Sequence, residues 1–395
     1  MYEALYEQVL PRFERETGYQ VNELGRLPHP ALNAELAKRF AAVDPGVDLL
    51  STHTKYAPSQ VQGLLPLDAH QVDAVDGLLP AIRTLATMRE GLMQVPRFLD
   101  LQLLYVRSSA FVDPATNDRY QSMFGGTLAV PRTWSEMINV SSTLATPTRH
   151  GFVFPGRDSG LFGTFYEMLV ASGGDLFAAD LSPSFSSPAG WWVADALAEM
   201  HTRRRCTPVE LPAMHYDEVS ACFRRGKAAM VADWPGSDHL YRTDETCVQS
   251  DDVELATLPM GFASRRAAYA GCHSFAVARN AGNKEGALLL LKYLTNHESA
   301  MFEAQQGAVP VTKRAFAQVR AESNDDPRAS HRWQLLSEQI DNALIIPPRF
   351  ANYPACESIL WRALQRVMLG EVSARVGLDQ AVADMQPIVK GQVAL

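Results

Sequence analysis

Tyr2, Leu5, Tyr6, Val9, Leu10 and Phe13 recur at the spacing of one helix face, so residues 2–16 read as an amphipathic helix that Gly18 ends. "YQVNEL" then alternates like a strand, and a second helix is predicted over about 30–42. "GVDLLST" is a short apolar run opened by Gly46, the pattern of a buried strand, and "QVQGLLPLDAH" reads as a short helix with a turn. "EGLMQVPRFLDLQLLYVRSSAF" reads as paired strands with Pro96–Asp100 as the loop between them. After residue 110 the pattern restarts. "PRTWSEMINVSSTLA" is a turn and a helix with Thr133 or Ser135 as cap, "HGFVFPG" a strand, "GLFGTFYEMLVASGG" a helix closed by a glycine pair, and 188–202 a further helix. "HYDEVSACFRRGKAAMVADWPG" is helix, glycine turn and strand. "VELATLPM" and "YAGCHSFAVAR" are strands, "NKEGALLLLKYLTNHESAMFEAQQ" is helical, and the last 80 residues are mainly helices. Helices alternating with strands predict an α/β fold with mostly parallel sheets. Without a repeat or a flexible tether, two lobes joined by several short crossings are expected.

The length of 395 residues supports this, being enough for two domains of roughly 150–200 residues. A net charge of −8 argues against nucleic acid or an anionic membrane as the main partner, and Arg203–Arg205 reads as a solvated helix end. No apolar run reaches the roughly 18–20 residues of a membrane span. The first residues are acidic and amphipathic, unlike a secretory leader, so the protein is expected to be cytosolic or to have lost a leader. Five cysteines (206, 222, 247, 272, 356) show no CxxC and read mostly as buried free thiols.

Motifs for chemistry are sparse. "RRGKAAM" lacks the first glycine and the hydroxyl of a phosphate loop; no G-x-G-x-x-G, HExxH, EF-hand or G-x-S-x-G motif is present, and the histidines show no i, i+4 pair. No cofactor and no metal are predicted. Ser159 in "GRDSG" runs straight into a helix, which reads as a cap or a ligand hydrogen bond rather than a nucleophile.

"MVADWPGSDHLYR" carries the sharpest signal. An apolar strand ends in Asp233, Trp234, Pro235 and Gly236, and a helix begins at Ser237. A flat ring on a rigid strand tip suits the apolar face of a ligand ring, with packing in a cleft wall as the alternative; Asp233 is read as a hydroxyl acceptor or a helix cap.

In order along the chain, "GVDLLST" with "VQGLLPLD", "GLMQVPRFLDLQLLYVRSSAF", "PRTWSEM", "FRRGKAAMVADWPG", "LPMG" with "AGCHSFAVARNAGNKEGALLLLKYLTNHE", and "PRFANYPACESILWRALQRVMLGEVS" with "GLDQAVADM" carry a resemblance. The chain resembles the family 1 extracellular solute-binding proteins of ABC importers, sugar-type and maltose-binding-protein-like. The resemblance implies a type II two-lobed fold, with residues 1–107 and 258–313 in one lobe, 108–257 and 314–395 in the other, and a ligand cleft between them. It implies an exported protein, periplasmic or lipid-anchored and monomeric, that closes on a sugar or polyol and docks on a membrane permease. The family's first strand is missing before residue 2, so a longer native chain is expected.

The resemblance also implies ligand positions. Trp234, Asp233 and Gly236 form one group, and Arg97 and Asp100, with Phe98, a second. Thr52, His53, Thr54 and Tyr56 follow the "GVDLLST" strand, and Gly271, Cys272 and His273 stand in a third loop. Arg157, Asp158 and Ser159 come from "FPGRDSG", Arg349 and Tyr353 from "PPRFANYP". Trp134 and Trp191–Trp192 read as core or helix packing. Two other readings stay open: an acidic sugar derivative gripped by Arg97, Arg157 and Arg349, and a glycoside hydrolase with two unpaired carboxylates flanking the cleft.

Overall fold

The computed structural model describes residues 2–27, 29–42, 45–68 and 71–394. Its strands are β1 (Leu49–His53), β2 (Thr87–Met88), β3 (Gly91–Leu92), β4 (Val95–Leu101), β5 (Leu103–Arg107), β6 (His150–Val153), β7 (Ala228–Asp233), β8 (Val253–Ala256), β9 (Ala268–Val277), β10 (Val309–Pro310) and β11 (Leu344–Ile345). They form two main sheets, β1-β9-β4-β10 with β11 beside β9, and β6-β7-β5-β8, plus the small β2–β3 hairpin.

The helices fall where apolar periodicity and caps put them. Tyr2–Thr17 is the first, with Leu5, Val9 and Phe13 buried on one face, and Gly18 ends it at φ +77°. Trp134–Leu144 opens with a capping box, Thr133 accepting from Glu136 N while the Glu136 carboxylate accepts from Thr133 N, so Thr133 is the cap. Trp134 is in the core as predicted; Trp191 and Trp192 are partly buried against it.

Three expectations change. Among the described residues six of the eight strand pairings are antiparallel, and β6–β7 and β11–β9 are parallel. The helix–strand alternation implied parallel neighbours, but the continuous run β4–β5 passes from one sheet into the other and lies antiparallel to β9 and β10 in the first and to β7 and β8 in the second, as β1 does to β9. Pro96–Asp100 is not a loop: β4 runs through it with a register shift at Arg97, and the single residue Gln102 carries the chain into β5 of the other sheet. The chain thus passes from the first sheet to the second at Gln102. Tyr19–Leu24 forms no strand: a cavity lies between it and β1, so it has no ladder to join there.

One core packs Leu5, Val9, Phe13, Leu36, Leu291 and Leu294 against the first sheet. A larger one wraps the second sheet and continues through Leu99, Leu101 and Tyr269 into the first, so the ends of the two sheets share packing. Along β1 a cavity of about 910 Å³ opens between Tyr19–Leu27 and Leu49–Ser51, floored by Leu10, Phe13, Leu290 and Leu294.

Candidate functional site

The strand tips meet around one buried ion pair. After β1 the chain turns because Thr54 N donates to Cys272 O (3.0 Å) and Cys272 N donates to Thr54 Oγ1 (2.9 Å), while Tyr56 N donates to His53 O (2.8 Å). That turn projects Lys55, whose Nζ donates to Glu357 Oε1 at 3.1 Å, with both side chains over nine-tenths buried. Glu357 lies on the helix Tyr353–Met368, one turn after Tyr353 and on the same face. Burial is the largest influence on Lys55 and pushes its pKa down. The Glu357 carboxylate, with Tyr269, Tyr56 and Tyr216, more than offsets it, so Lys55 stays charged with its pKa raised.

Aromatic rings enclose the pair. Lys55 Nζ stands 4.5 Å from the Tyr56 ring centroid and 6.0 Å from that of Tyr269. Tyr269, at the start of β9, meets Phe162 (6.0 Å), Tyr166 (6.2 Å) and Trp234 (6.3 Å), and Trp234 meets Tyr216 edge-on at 5.1 Å. Gly163 makes room for it: a Cβ there would stand 3.1 Å from Tyr269 Cδ1. Tyr353 reaches the same group through Phe162 at 6.0 Å. Its hydroxyl is buried beside the Glu357 carboxylate; burial, then the Glu357 charge and the hydrogen bond to that carboxylate, raise the Tyr353 pKa. Ser159 bears on the Tyr216 hydroxyl, and the adjacent Asp158 holds φ +50°, a left-handed conformation of the kind that collects at functional sites.

Of the sequence-derived candidates, the structure brings Trp234, Tyr353, Ser159 and Tyr56 together here. Lys55, Glu357, Tyr216 and Tyr269 were missed. Lys55 follows Thr54 directly, and the i, i+4 spacing of Tyr353 and Glu357 was readable in "YPACE".

The remaining candidates have other work. Asp233 is a wall residue: Tyr241 Oη donates to its Oδ2 and Trp234 N to its Oδ1 (2.8 Å), while burial lifts its pKa to about 6. Gly236 forms the turn into the helix Ser237–Thr243. That turn is pinned from outside by Arg332, whose Nη2 donates to Pro235 O (3.2 Å) and Gly307 O (2.6 Å). Thr54 and Cys272 spend their polar groups on each other. Arg97 is buried against Glu303 (Nε to Oε1, 2.9 Å). Arg157 binds Ala213 O and Asp158, and Arg349 caps the helix Pro80–Ala86 through Thr84 O (2.7 Å) and Thr87 O (2.6 Å). These arginines therefore do not form a shared anion grip. His53, His273 and Asp100 form a separate cluster on one face of the first sheet: His53 and His273 are cross-strand partners with rings 5.3 Å apart, and His273 Nε2 is 3.4 Å from Asp100 Oδ2. All five cysteines are free, with Cys206, Cys272 and Cys356 buried.

The whole fold recurs in solved binding proteins. The maltose-bound protein MalE3 of T. maritima is 23% identical, with 98% of this chain and 96% of that one covered and a TM-score of 0.85. The solute-binding protein of Thermotoga lettingae TMO bound with α-D-tagatose is 19% identical, with 98% and 96% covered and a TM-score of 0.83. The ribitol complex from Agrobacterium radiobacter K84 is 18% identical, with 98% and 95% covered and a TM-score of 0.82. The sequence itself matches the bacterial extracellular solute-binding protein family over residues 2–301. With that match spanning most of the chain, and with strand tips converging on an aromatic-lined site, the chain belongs to the bacterial extracellular solute-binding protein family.

Proposed function

We propose that this protein captures an uncharged carbohydrate or polyol between two lobes and delivers it to the permease of an ABC importer. The observation that carries the reading is the site's composition: rings able to pack on the C–H face of a sugar surround one acid and one base that neutralise each other. A net charge on the ligand would stay uncompensated in this buried place, at a cost of several kcal/mol. The acidic-ligand alternative loses support because Arg97, Arg157 and Arg349 are committed to Glu303, Asp158 and backbone carbonyls. The hydrolase alternative needs two unpaired carboxylates, whereas Glu357 pairs with Lys55 and Asp158 with Arg157. The chain binds and releases its ligand by hinge closure, each lobe contributing half the site. The lobes divide at Gln102, near residue 257 and near residue 313. The protein works as a monomer outside the cytoplasm, in the periplasm or on a lipid anchor.

The test is a thermal-shift screen of neutral sugars, polyols, sugar acids and sugar phosphates. Saturation at one hundred times Kd adds about 2.7 kcal/mol of apparent stability. A neutral hit that Trp234→Ala weakens by at least about tenfold is the expected result; hits confined to the acids would reject the reading.

A further inference from the structure

The ion pair Lys55–Glu357 joins parts of the chain that pack separately. Lys55 stands on the turn after β1, whose backbone pairs with β9 in the first sheet. Glu357 stands 302 positions later on the helix Tyr353–Met368, which packs on the helices Asp158–Ala171, Pro188–Ala198 and Ala374–Val389. The two side chains are 5% and 7% exposed, so the pair is shut off from water. Its polar surroundings are supplied by the protein. Besides its 3.1 Å bond to Glu357 Oε1, Lys55 hydrogen-bonds to the Tyr56 and Tyr269 hydroxyls, and the Tyr353 hydroxyl bonds to the Glu357 carboxylate. Tyr56 follows Lys55 in the chain and Tyr269 lies on β9, whereas Tyr353 shares the helix of Glu357. Each charge thus has hydroxyl partners on its own side, and its counter-charge comes from the other side.

We infer that Lys55 and Glu357 form a latch between the two lobes: the lobes rest together while the charges are paired, and opening them hydrates both ions. This rests on the hinge-closure reading above. Removing one partner of a buried ion pair strands the other charge away from water, which is far more costly than removing both. Where both partners belong to one folded body, the stranded charge reaches water only by unfolding. Across a hinge it reaches water by opening. The pair therefore acts on the closing equilibrium rather than on the fold of either lobe, and the ligand enters the fraction of molecules in which the pair is parted. Gly163 marks a second close point of the same contact. It lies on the helix Asp158–Ala171, and a Cβ added there would stand 3.1 Å from Cδ1 of Tyr269 on β9.

The experiment is small-angle X-ray scattering of the full chain, freed of bound solute by denaturation and refolding, with thermal melting beside it. The variants are Glu357→Gln, which leaves Lys55 uncompensated, and Lys55→Met/Glu357→Gln, which removes both charges. Gly163→Leu, a wedge against Tyr269, is the control for opening. The wild type should scatter as the structure described above. Glu357→Gln should shift to a larger radius of gyration while its melting temperature stays close to that of the wild type. The double variant should return towards the wild-type radius, because no lone charge is left to hydrate. A Glu357→Gln protein that keeps the wild-type radius, that fails to fold, or that melts far below the wild type overturns the latch. If Gly163→Leu opens in that case, hinge closure stands without it. If neither variant enlarges, the hinge-closure reading fails and this inference with it.

Discussion

Asp100→Asn offers the most direct check on the electrostatics of the first sheet. Burial lifts the Asp100 carboxyl to about 8; Arg97 pulls against this, while Asp233 and Glu303 add to it. His273 lies 3.4 Å away, His53 and Phe98 flank His273, and Cys272 is buried on the neighbouring strand. In the unfolded chain the group titrates near 3.8. Folding therefore takes up a proton wherever the pH lies between these values, and the more protonated state is the folded one. Stability then falls by about 1.4 kcal/mol for each unit of rising pH in that window, is unaffected by this group below about 4, and levels off above about 8. Over the three or so units from 4 to 7 the accumulated cost is about 4 kcal/mol as an upper bound. Asparagine imitates the protonated carboxyl in shape and donor capacity but never has to be charged. The variant should match the wild type at pH 4 and exceed it increasingly towards pH 8. Urea denaturation at unit steps of pH measures this through the midpoint at constant m-value. Parallel pH profiles for the two proteins, or an Asn variant less stable at pH 7, would refute the reasoning.

Three further outcomes are expected. Gly156→Ala puts a Cβ 1.9 Å from Leu211 O, a backbone atom that cannot swing aside, so the Arg157–Ser159 loop must shift. A fall of several degrees in melting temperature with weaker ligand binding is predicted, and unchanged melting would contradict the packing. Arg332→Met strips the bonds to Pro235 O and Gly307 O and leaves Asp238 with one cation fewer; a loss of about 2–4 kcal/mol is predicted by denaturation, together with weakened ligand affinity as the Trp234 turn loosens. Ellman titration of the native protein should report the half-buried Cys247 quickly and the half-buried Cys222, whose thiol burial pushes up to about 11, more slowly. Cys206, Cys272 and Cys356, fully buried and with thiols that burial pushes up, should react only after denaturation; a third thiol reacting in the native protein would show that one of these is accessible.

Local pattern was enough to place most elements. The periodicity of Leu5, Val9 and Phe13 and the cap at Thr133 are short-range facts that any fold containing these segments must respect. The apolar run Ala228–Asp233 ending in Trp234 was legible for the same reason: a fully buried strand followed by Pro and Gly leaves few places for its last ring to go. Family resemblance then located a site near that tip, but it spread the candidates over every loop that faces a cleft in such proteins. Partner choice is what single positions do not encode. Arg97, Asp233 and Arg349 look alike as polar residues beside apolar strands, and only folding delivers Glu303, Tyr241 and the end of the helix Pro80–Ala86 to them. Lys55 and Glu357 are the converse case, two unremarked charges that meet only because folding packs the turn after β1 against the helix Tyr353–Met368 from 302 positions away. Strand direction belongs with them. Alternation along the chain says that strands exist, whereas the switch of sheets at Gln102 decides that most of them pair antiparallel. The sequence by itself determined the elements, the α/β class and the aromatic strand tip, because those depend on neighbours within a few residues. The tertiary structure decided which charges meet, since Coulomb energy and burial depend on distances that close only when segments hundreds of residues apart are packed together.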